Sequence, residues 1–344
     1  MTRTKSTERL GVCCSGNWII DHVKTIDLWP PEETLADILD EELGTGGAAY
    51  NVSVDLARFQ LGLPLYGLGL VGDDADGQRI LADCGKHGID SRFLRTVAEE
   101  PTAYTDVMNV RDTGRRTFFH NRGANALLGP EHFCVEELDC RILSLGYLLL
   151  LDTLDDVDTE YGTKAARVLA QCREAGIVTA VDAVSENSDR FPRVIKPSLP
   201  HTDYLMINEI EAGRTAGREV RAGSGDEVDR DALEAAARDL LECGVNEAVV
   251  VHTPHVALGL TRDGRRVWQP TLNVPQSFIK GSVGAGDAFF AGMLVGIHES
   301  WNLERCLTFA NAAAASCLRH PTCTGGVGSA QEIWRLSEEY PLRG

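Results

Sequence analysis

Residues 281–287 read GSVGAGD, and they are followed directly by the apolar run AFFAGMLV at residues 288–295. Glycine has no side chain to clash, so this turn allows the backbone to approach a ligand closely. The apolar run predicts a buried helix that is too short to cross a membrane. The turn therefore leads into the N-terminus of a helix, where free N–H groups and the helix dipole attract anions.

One carboxylate, Asp287, stands at this predicted anion site. A carboxylate among amides that attract phosphate is electrostatically unfavourable, and a catalytic role is one reason to retain it. A base beside a phosphate-binding turn is what phosphoryl transfer to an alcohol requires. The same letters also fit an ordinary loop in which Asp287 caps a helix. The heptad alone leaves both interpretations open.

Length and charge limit the class of protein. The 344 residues allow one large or two modest domains. Acidic residues outnumber basic ones by 51 to 33, which gives a formal net charge of −18. This charge argues against nucleic acids and anionic membrane surfaces as partners. It does not exclude a small anionic ligand, because such a ligand responds to the local field.

The cysteines and the apolar segments predict the compartment. The ten cysteines form no C-x-x-C pair and no zinc-like Cys/His spacing. Many lie in apolar runs, as reduced thiols in protein cores do. The first ten residues are polar, which predicts no signal peptide. The longest apolar stretch, around residues 143–151, is too short to span a bilayer. We therefore expect an intracellular, cytoplasmic protein.

A second glycine-rich segment, GTGGAAYN, occupies residues 44–51. It precedes apolar residues spaced at i, i+4 and i+7, namely Val52, Leu56 and Phe59. This spacing predicts that the segment opens an amphipathic helix. A flexible connection is the alternative, and the two central glycines do not exclude it.

Two nucleotide-binding motifs can be rejected. Residues 67–72 match G-x-G-x-x-G, but they lie within a predicted strand rather than at a strand-to-helix turn. Asp73 and Asp74 then follow where a pyrophosphate would bind. The chain also has no G-x-x-x-x-G-K-[ST], so it is not a Walker-A protein. A Rossmann oxidoreductase therefore ranks last among the possible functions.

From Arg141 onward, predicted strands and helices alternate. This alternation favours a mostly parallel sheet with helices on both faces. The predicted strands cover residues 142–151, 177–182, 203–207 and 247–252, and the predicted helices cover residues 159–175, 209–217, 230–243, 286–298 and 302–318. Residues 217–230 are predicted to be a flexible polar insertion.

Polar side chains follow several of these predicted strands. Asp182 ends one strand, Asn208 and Glu211 follow another, and Thr253 follows a third. Ligands of such sheets bind at the carboxyl ends of the strands. These side chains are therefore candidates for one site together with Asp287.

A hairpin is predicted from residues 104–110 and 115–120, joined by a turn at residues 112–114. With the segment near Asp21 it would form a small separate sheet. The hairpin leads into a polar loop that contains candidate ligand-binding side chains. These are His120, Arg122 and Asn125, for which simple solvation is the alternative.

Together these motifs resemble the ribokinase-like (PfkB) carbohydrate kinases, from about Gly11 to Glu332. The first signature is GGAAYN at residues 46–51, which runs on to GLVGDDADG at residues 69–77. The second is NEIE at residues 208–211, which is similar to the family's N-x-x-E. The third is GAGD at residues 284–287, and the three occur in the family's order.

The resemblance implies an α/β fold: a ribokinase-like three-layer α/β/α sandwich with a mostly parallel central sheet and a small β-sheet lid. It implies a single kinase domain over residues 1–344, with lid segments at about 17–45 and 101–125 inserted in the α/β core. The family's lid covers the sugar and often pairs with a second subunit, so we expect a homodimer through the lid. Closing such a lid excludes water, which competes with the sugar as acceptor.

The resemblance also implies roles in catalysis. Asp287 matches the family's catalytic base, which takes the proton from the sugar hydroxyl. The backbone amides of Gly284, Ala285 and Gly286 match the hole that stabilises charge on the transferring γ-phosphate.

The implied cofactors are ATP and Mg²⁺. Asn208 and Glu211 match the pair that arranges magnesium and its waters around the phosphates. Because magnesium takes oxygen ligands and keeps much of its water, one carboxylate and one amide suffice. Thr253 is the candidate phosphate contact, and Asn311 matches the helix beside the adenine.

The implied substrate contacts lie on both sides of the first signature. The residues that match positions gripping sugar hydroxyls are Asp21, Gly46, Gly47 and Asn51. His120, Arg122 and Asn125 are candidates for determining specificity. If Arg122 or His120 met a carboxylate or phosphate, the substrate would be a sugar acid or a sugar phosphate.

The sequence departs from the family at two places. Gly281 and Ser282 stand where the last signature usually begins Asp-Thr, so activation by a monovalent cation such as potassium stays open. The usual Thr-x-Gly-x-x-Gly before the nucleotide is loosened at residues 252–259, so preference for ATP over another nucleotide also stays open.

We therefore expect an ATP- and magnesium-dependent kinase that phosphorylates a hydroxyl of a sugar or sugar acid. A nucleoside kinase of the same fold is the first alternative. A sugar-binding regulator that has lost catalysis is the second, and the changes at Gly281 and in the nucleotide loop are its support. The letters do not identify the sugar or its reacting hydroxyl.

Overall fold

The structure is a computed structural model that describes residues 9–113, 115–221 and 227–344. The strands are β1 (Val12–Gly16), β2 (Ile19–Ile26), β3 (Ile38–Gly46), β4 (Leu65–Gly72), β5 (Ile89–Val97), β6 (Ala103–Val110), β7 (Arg116–Asn121), β8 (Ile142–Leu148), β9 (Val157–Asp158), β10 (Gly162–Thr163), β11 (Val178–Ala183), β12 (Tyr204–Asn208), β13 (Ala248–His252), β14 (Val256–Thr261) and β15 (Arg266–Pro270). The α-helices are α1 (Ala48–Arg58), α2 (Ala75–His87), α3 (Asp152–Asp155), α4 (Lys164–Glu174), α5 (Phe191–Ile195), α6 (Glu209–Ala216), α7 (Arg230–Glu242), α8 (Ala285–His298), α9 (Leu303–Cys317) and α10 (Ala330–Glu339).

A large sheet runs through the centre of the molecule in the order β15-β14-β13-β12-β11-β8-β1-β4-β5. From β5 to β13 all neighbouring strands pair in parallel, whereas β14 is antiparallel to both of its neighbours. The prediction of a mostly parallel sheet is therefore confirmed. The antiparallel extension β14–β15 and helix α10 were not predicted.

Two apolar clusters lie on opposite faces of this sheet. Successive side chains of a strand point to opposite faces, and accordingly Cys13 belongs to one cluster while Val12 and Cys14 belong to the other. Helices α1, α2, α8, α9 and α10 cover the face of Val12, and helices α3 to α7 cover the face of Cys13. This is the predicted three-layer α/β/α arrangement.

A separate four-stranded sheet has the order β3-β2-β6-β7. Strands β2 and β6 pair in parallel, and the two outer pairs are antiparallel. The strands come from the two segments predicted for the lid, although β3 extends one residue further, to Gly46. We call this small sheet the lid sheet.

Two predicted element boundaries are wrong. The helix predicted at residues 159–175 begins only at Lys164, because the Asp158 carboxylate accepts the N–H groups of Glu160 and Tyr161 and makes a turn there. Thr163 then caps the helix by accepting the N–H of Ala166. The strand predicted at residues 142–151 ends earlier, at Leu148.

The rejected dinucleotide motif lies within strand β4, as predicted. Its central glycine is explained by packing, since a Cβ on Gly69 would lie 2.4 Å from a ring carbon of Trp18. The buried indole therefore requires glycine at this position.

Three further sequence predictions concern composition and the polar insertion. All ten cysteines are free thiols. No helix in the described ranges is both long enough and apolar enough to cross a membrane. The predicted polar insertion at 217–230 lies partly outside the described residues, since 222–226 are not among them.

Candidate active site

The turn before α8 has the geometry that its glycines predict. Gly284 is the N-cap of the helix and has a φ of 83°, in the left-handed region that favours glycine. A Cβ at this position would lie 2.4 Å from the backbone oxygen of Cys323. The first N–H groups of a helix have no partner within it. This turn therefore presents backbone donors beside Asp287, which lies in the first turn of α8.

The Asp287 carboxylate is buried and bound by two side chains. The hydroxyl of Tyr147 donates to Oδ1 at 2.5 Å, and Nδ2 of Asn51 donates to Oδ2 at 2.8 Å. Burial raises the pKa of Asp287 from 3.8 to about 6, and the two hydrogen bonds oppose that rise. Asp287 is therefore ionised at neutral pH, with a pKa suited to accepting a proton.

A cavity of about 430 Å³ opens beside this carboxylate and beneath the lid sheet. Four of the predicted substrate-binding residues line it, namely Asp21, Gly47, Asn51 and His120. The lid sheet also contributes Thr105 and Phe118. The structure thus brings side chains from β2, α1, β6 and β7 to one pocket with Asp287.

Asp21 is a buried polar group in this cavity, and His120 is a half-buried one. Burial raises the pKa of Asp21 to about 7 and lowers the pKa of His120 to about 4. Nδ1 of His120 is 3.1 Å from the hydroxyl of Thr105, whereas its Nε2 has no hydrogen-bond partner among the described residues. Gly46 lies against the Asp21 carboxylate, so a side chain there would collide with Oδ1.

Arg122 and Asn125 are placed differently from the prediction, and neither is among the described residues that line this cavity. Arg122 pairs with Asp152 at 2.9 Å and donates to the carbonyl of Leu149. Asn125 is fully buried and is hydrogen-bonded to the backbone N–H and carbonyl of Trp18. Both side chains are occupied by contacts within the protein, so their placement does not support the predicted substrate contacts.

A second cavity of about 430 Å³ adjoins the first. Three residues line both cavities, namely Asn208, His252 and Gly286. The second cavity also contains two predicted nucleotide contacts, Thr253 and Asn311. The two cavities therefore meet at the N-terminus of α8, with Asp287 on the side of the first.

The side chains of Thr253 and Asn311 form hydrogen bonds with backbone groups. The Thr253 hydroxyl accepts the N–H groups of His255 and Val256 and donates to the carbonyl of Val256. Nδ2 of Asn311 donates to the carbonyls of Gln269 and Pro270, at the end of β15. Both residues thus hold the cavity wall in place, which the sequence did not indicate.

Asn208 and Glu211 form a capping box at the start of α6. Asn208 Oδ1 accepts the N–H of Glu211, and Glu211 Oε2 accepts the N–H of Asn208. Burial raises the pKa of Glu211 to about 7 and holds the pKa of Asp182 well above its usual range. The neighbouring Glu211 charge raises the pKa of Asp182 further.

The carboxyls of Asp182 and Glu211 line the first cavity together with Asn208, which lines both cavities, and they are candidates for serving a cation. In the described part of the chain no cluster of three or more His, Cys, Asp or Glu residues could hold a metal ion. Magnesium retains several waters and needs only one or two carboxylates beside phosphate oxygens. The pair of carboxyls therefore fits a water-rich magnesium site, since a divalent cation would relieve their repulsion.

Two residues of the site were missed by the sequence analysis. Tyr147 belongs to the apolar run of β8 and lies inside the longer strand that the sequence predicts. His252 ends β13 and lines both cavities, and its ring packs against Phe289 with centroids 5.1 Å apart. A polar residue at the carboxyl end of a parallel strand is the signal that indicates both positions.

The chain is similar to known carbohydrate kinases. A model of the pfkB family carbohydrate kinases matches residues 11–328. Ribokinase from Arabidopsis thaliana is 27% identical over 261 residues, which span 74% of this chain but only 62% of that protein. ATP-dependent ribose-1-phosphate kinase from Halopiger xanaduensis is 28% identical over 299 residues, which span 87% of this chain and 88% of the relative.

The fold is also shared with solved structures. The structure of Arabidopsis thaliana ribokinase complexed with ribose and ATP aligns with a TM-score of 0.77 at 21% identity, covering 96% of this chain and 99% of that one. The family match spans most of the chain. The chain therefore belongs to the PfkB family of carbohydrate kinases.

Proposed function

We propose that this protein transfers the γ-phosphate of ATP to a hydroxyl group of a sugar or sugar acid. The acceptor binds in the cavity beneath the lid sheet, and the nucleotide binds in the adjoining cavity. Asp287 takes the proton of the attacking hydroxyl. The amides of Gly284, Ala285 and Gly286 stabilise charge on the transferring phosphoryl group.

The observation that carries this proposal is the meeting of two cavities at one helix N-terminus. Gly286 lines both cavities, and the Asp287 carboxylate next to it lines the acceptor side. Phosphoryl transfer depends mainly on position and on charge stabilisation. A base on one side of a backbone anion site, with room for a nucleotide on the other, meets both requirements.

Asn208 and Glu211, with Asp182 beside them, would hold Mg²⁺ through its waters and the phosphate oxygens. The ion would supply positive charge against the phosphates when it is bound. On the acceptor side, Asp21 and the free Nε2 of His120 are placed to orient hydroxyl groups.

A coupled assay of ADP release tests the proposed function. Magnesium-ATP is tested against sugars, sugar acids, sugar phosphates and nucleosides, with and without potassium. We expect ADP release that depends on a sugar or a sugar acid. A response to nucleosides alone would replace the proposal with a nucleoside kinase. Sugar binding without any ADP release would instead indicate a non-catalytic regulator.

The hydrogen bond from Tyr147 to Asp287 predicts a pH effect. In the wild type the rate is expected to fall as the pH decreases through about 6, where Asp287 is protonated. The Tyr147 hydroxyl stabilises the carboxylate, so Tyr147→Phe raises this pKa. A hydrogen bond to a charged group contributes about 1.5–3 kcal/mol, so we expect the acid limb of kcat to move up by about one to two pH units. An unchanged limb would contradict this role.

The outer surface of the lid sheet supports a homodimer. Trp29 and Phe119 are about half exposed and stack on each other, with centroids 6.2 Å apart. Leu39 and Leu43 are exposed on β3, at the opposite edge of the sheet from β7, which carries Phe119. Exposed apolar clusters of this kind are typical of protein interfaces. We infer that the lid sheets of two copies pack together and that the whole chain acts as one domain.

Phe119→Asp is expected to convert the dimer to a monomer, because it removes the exposed stack with Trp29 and places a charge there. Light scattering coupled to gel filtration measures the mass. Val157→Asp is the matched control, since Val157 is 73% exposed but lies far from the lid sheet in the chain and belongs to β9. An unchanged mass for Phe119→Asp, or a monomeric wild type, would contradict the inferred interface.

We also infer a cytoplasmic location. All ten cysteines are free thiols, as is usual in a reducing compartment. A kinase of this kind also requires a supply of ATP and magnesium.

A further inference from the structure

Two of the buried polar side chains on helix α1, Asn51 and Asp55, lie one turn apart. Asp55 is fully buried, and neither of its carboxyl oxygens has a hydrogen-bond partner among the described residues. Oδ1 of Asn51 is likewise buried and without a partner in that part of the chain. The other end of the same amide, Nδ2, donates to the Asp287 carboxylate. Three buried oxygen atoms without a partner among the described residues thus lie on the helix whose Asn51 binds the proposed catalytic base.

Unpaired buried oxygens of this kind are rare and need an explanation. An ionised carboxylate without a partner is especially unfavourable inside a protein, and such a group usually takes up a proton instead. The charged groups that act on the pKa of Asp55 are the Asp287 carboxylate and Arg58 on the same helix. Three buried thiols, Cys14, Cys317 and Cys323, are close enough for a charge on Asp55 to raise their pKa values.

Arg58 does not pair with Asp55, because it donates to the carbonyls of Val327 and Gly325. The negative charge of Asp287 acts in the opposite direction to Arg58, because it disfavours a second negative charge nearby. Burial together with the Asp287 charge holds the pKa of Asp55 well above its usual range. The neutral carboxylic acid is therefore the form that this environment favours.

A neutral carboxyl also supplies the donor that Asn51 lacks. Residues at i and i+4 lie on the same face of a helix, with Cβ atoms about 5–6 Å apart. This separation suits either a direct hydrogen bond or one bridging water between the two side chains. The proton of Asp55 would then satisfy Oδ1 of Asn51 while Nδ2 of Asn51 binds Asp287.

We propose that Asp55 is a positioning residue, which stays protonated and donates toward Asn51 Oδ1, directly or through one buried water, to fix the Asn51 amide against Asp287. This proposal rests on the proposed kinase function. If the amide turned over, its oxygen would face the Asp287 carboxylate and repel it. Asp55 thus selects the orientation in which Asn51 stabilises the ionised base.

Two substitutions separate this role from simple burial. Asp55→Asn is neutral and keeps a donor, so we expect kcat within about threefold of the wild type. Asp55→Ala suits a helix but removes the donor, so we expect kcat to fall at least about tenfold, since small errors of position are costly in catalysis. Ser53→Ala is the control on the same helix, because Ser53 is buried and bonds only the carbonyl of Tyr50.

The pH dependence gives a readout that a purely structural role would not change. Losing the fixed N–H of Asn51 raises the pKa of Asp287, so the acid limb of kcat in Asp55→Ala moves to higher pH. In Asp55→Asn the limb stays in place, because no charge has been removed. A limb at lower pH in Asp55→Asn would show that Asp55 is ionised and would overturn the proposal. Wild-type kcat and an unchanged limb in Asp55→Ala would overturn it equally.

A measurement without turnover distinguishes failure of this proposal from failure of the proposed function. We expect the ¹³C carboxyl resonance of Asp55 at pH 8 to have the shift of a protonated acid. We expect the side-chain amide resonances of Asn51 to be sharp in the wild type and Asp55→Asn, but broadened in Asp55→Ala. An ionised Asp55, or sharp amide signals in all three proteins, would overturn the proposal even if no acceptor supported activity.

Discussion

Asp287→Asn is expected to lower kcat by about 100- to 10,000-fold, the usual contribution of a positioned general base. An amide of nearly the same shape cannot accept the proton of the attacking hydroxyl. The affinities for ATP and for the acceptor should change little, because binding does not require the proton transfer. Steady-state kinetics and calorimetry of the two ligands measure both expectations. A variant within tenfold of the wild-type rate would exclude Asp287 as the base.

The same variant is expected to fold at least as stably as the wild type at pH 8. The pKa of Asp287 is raised from 3.8 to about 6, so its carboxyl contributes most to stability below pH 3.8, and that contribution is lost as pH rises through about 6. At pH 8 the buried charge therefore destabilises the fold, on the order of 2–3 kcal/mol. Thermal unfolding would show a lower melting temperature if lost activity instead reflected a damaged fold.

Gly284→Ala is expected to lower kcat about 100-fold or more and to lower the melting temperature. A non-glycine residue at a φ of 83° is strained by roughly 1–2 kcal/mol. Its Cβ would also meet the backbone oxygen of Cys323 at 2.4 Å, so the turn must shift. A displaced turn removes the amides from the transferring phosphoryl group, and one lost donor of this kind typically costs about 100- to 1,000-fold.

Gly264→Ala is the matched control for this substitution. Gly264 has a similar φ of 89°, but nothing lies within 4 Å of a Cβ added there. The Gly264→Ala variant has the same conformational strain but no collision, and the substituted position lies outside both cavities. Its kcat should therefore equal that of the wild type. If Gly284→Ala kept wild-type kcat, or if both variants lost activity alike, the turn would have no specific role in catalysis.

The parts of the site that the sequence predicted are those set by local backbone chemistry. The glycine turn before Asp287 begins a helix because the apolar run follows at once, and the structure places the helix there. Asn208 and Glu211 were predicted from their place after a strand and their N-x-x-E spacing, and in the structure this spacing forms a capping box across one turn. Such patterns depend on only a few neighbouring residues, so they can be predicted without knowing the tertiary contacts.

The contacts that the sequence did not predict depend on the tertiary fold. Tyr147 contacts Asp287 across 140 residues of chain, so its position near the end of a strand does not identify the carboxylate that it binds. Arg122 was a candidate for binding an acidic substrate, but Asp152 and the carbonyl of Leu149 occupy its guanidinium. Whether the Arg122 guanidinium contacts a ligand or a partner within the protein depends on tertiary geometry, which the local sequence does not contain.

The helix predicted from residue 159 failed for a related reason. The carboxylate of Asp158 captures the N–H groups of Glu160 and Tyr161, and such local bonds compete with helix formation. The acidic residues at the start of this predicted helix have the composition that is typical of a first helical turn. The hydrogen bonds to Asp158 prevent the helix from starting there, and it begins only after Thr163, which is its N-cap.

The most direct test of the account follows the phosphate itself by ³¹P NMR. Wild-type protein is incubated at pH 8 with magnesium-ATP and the acceptor that responds best in the coupled assay. We expect the γ-phosphate signal of ATP to be replaced by that of a phosphate monoester on the acceptor, at the rate of ADP release. Release of inorganic phosphate at the same rate with and without acceptor, or no loss of ATP while both ligands bind, would contradict the assignment of a kinase with Asp287 as its base.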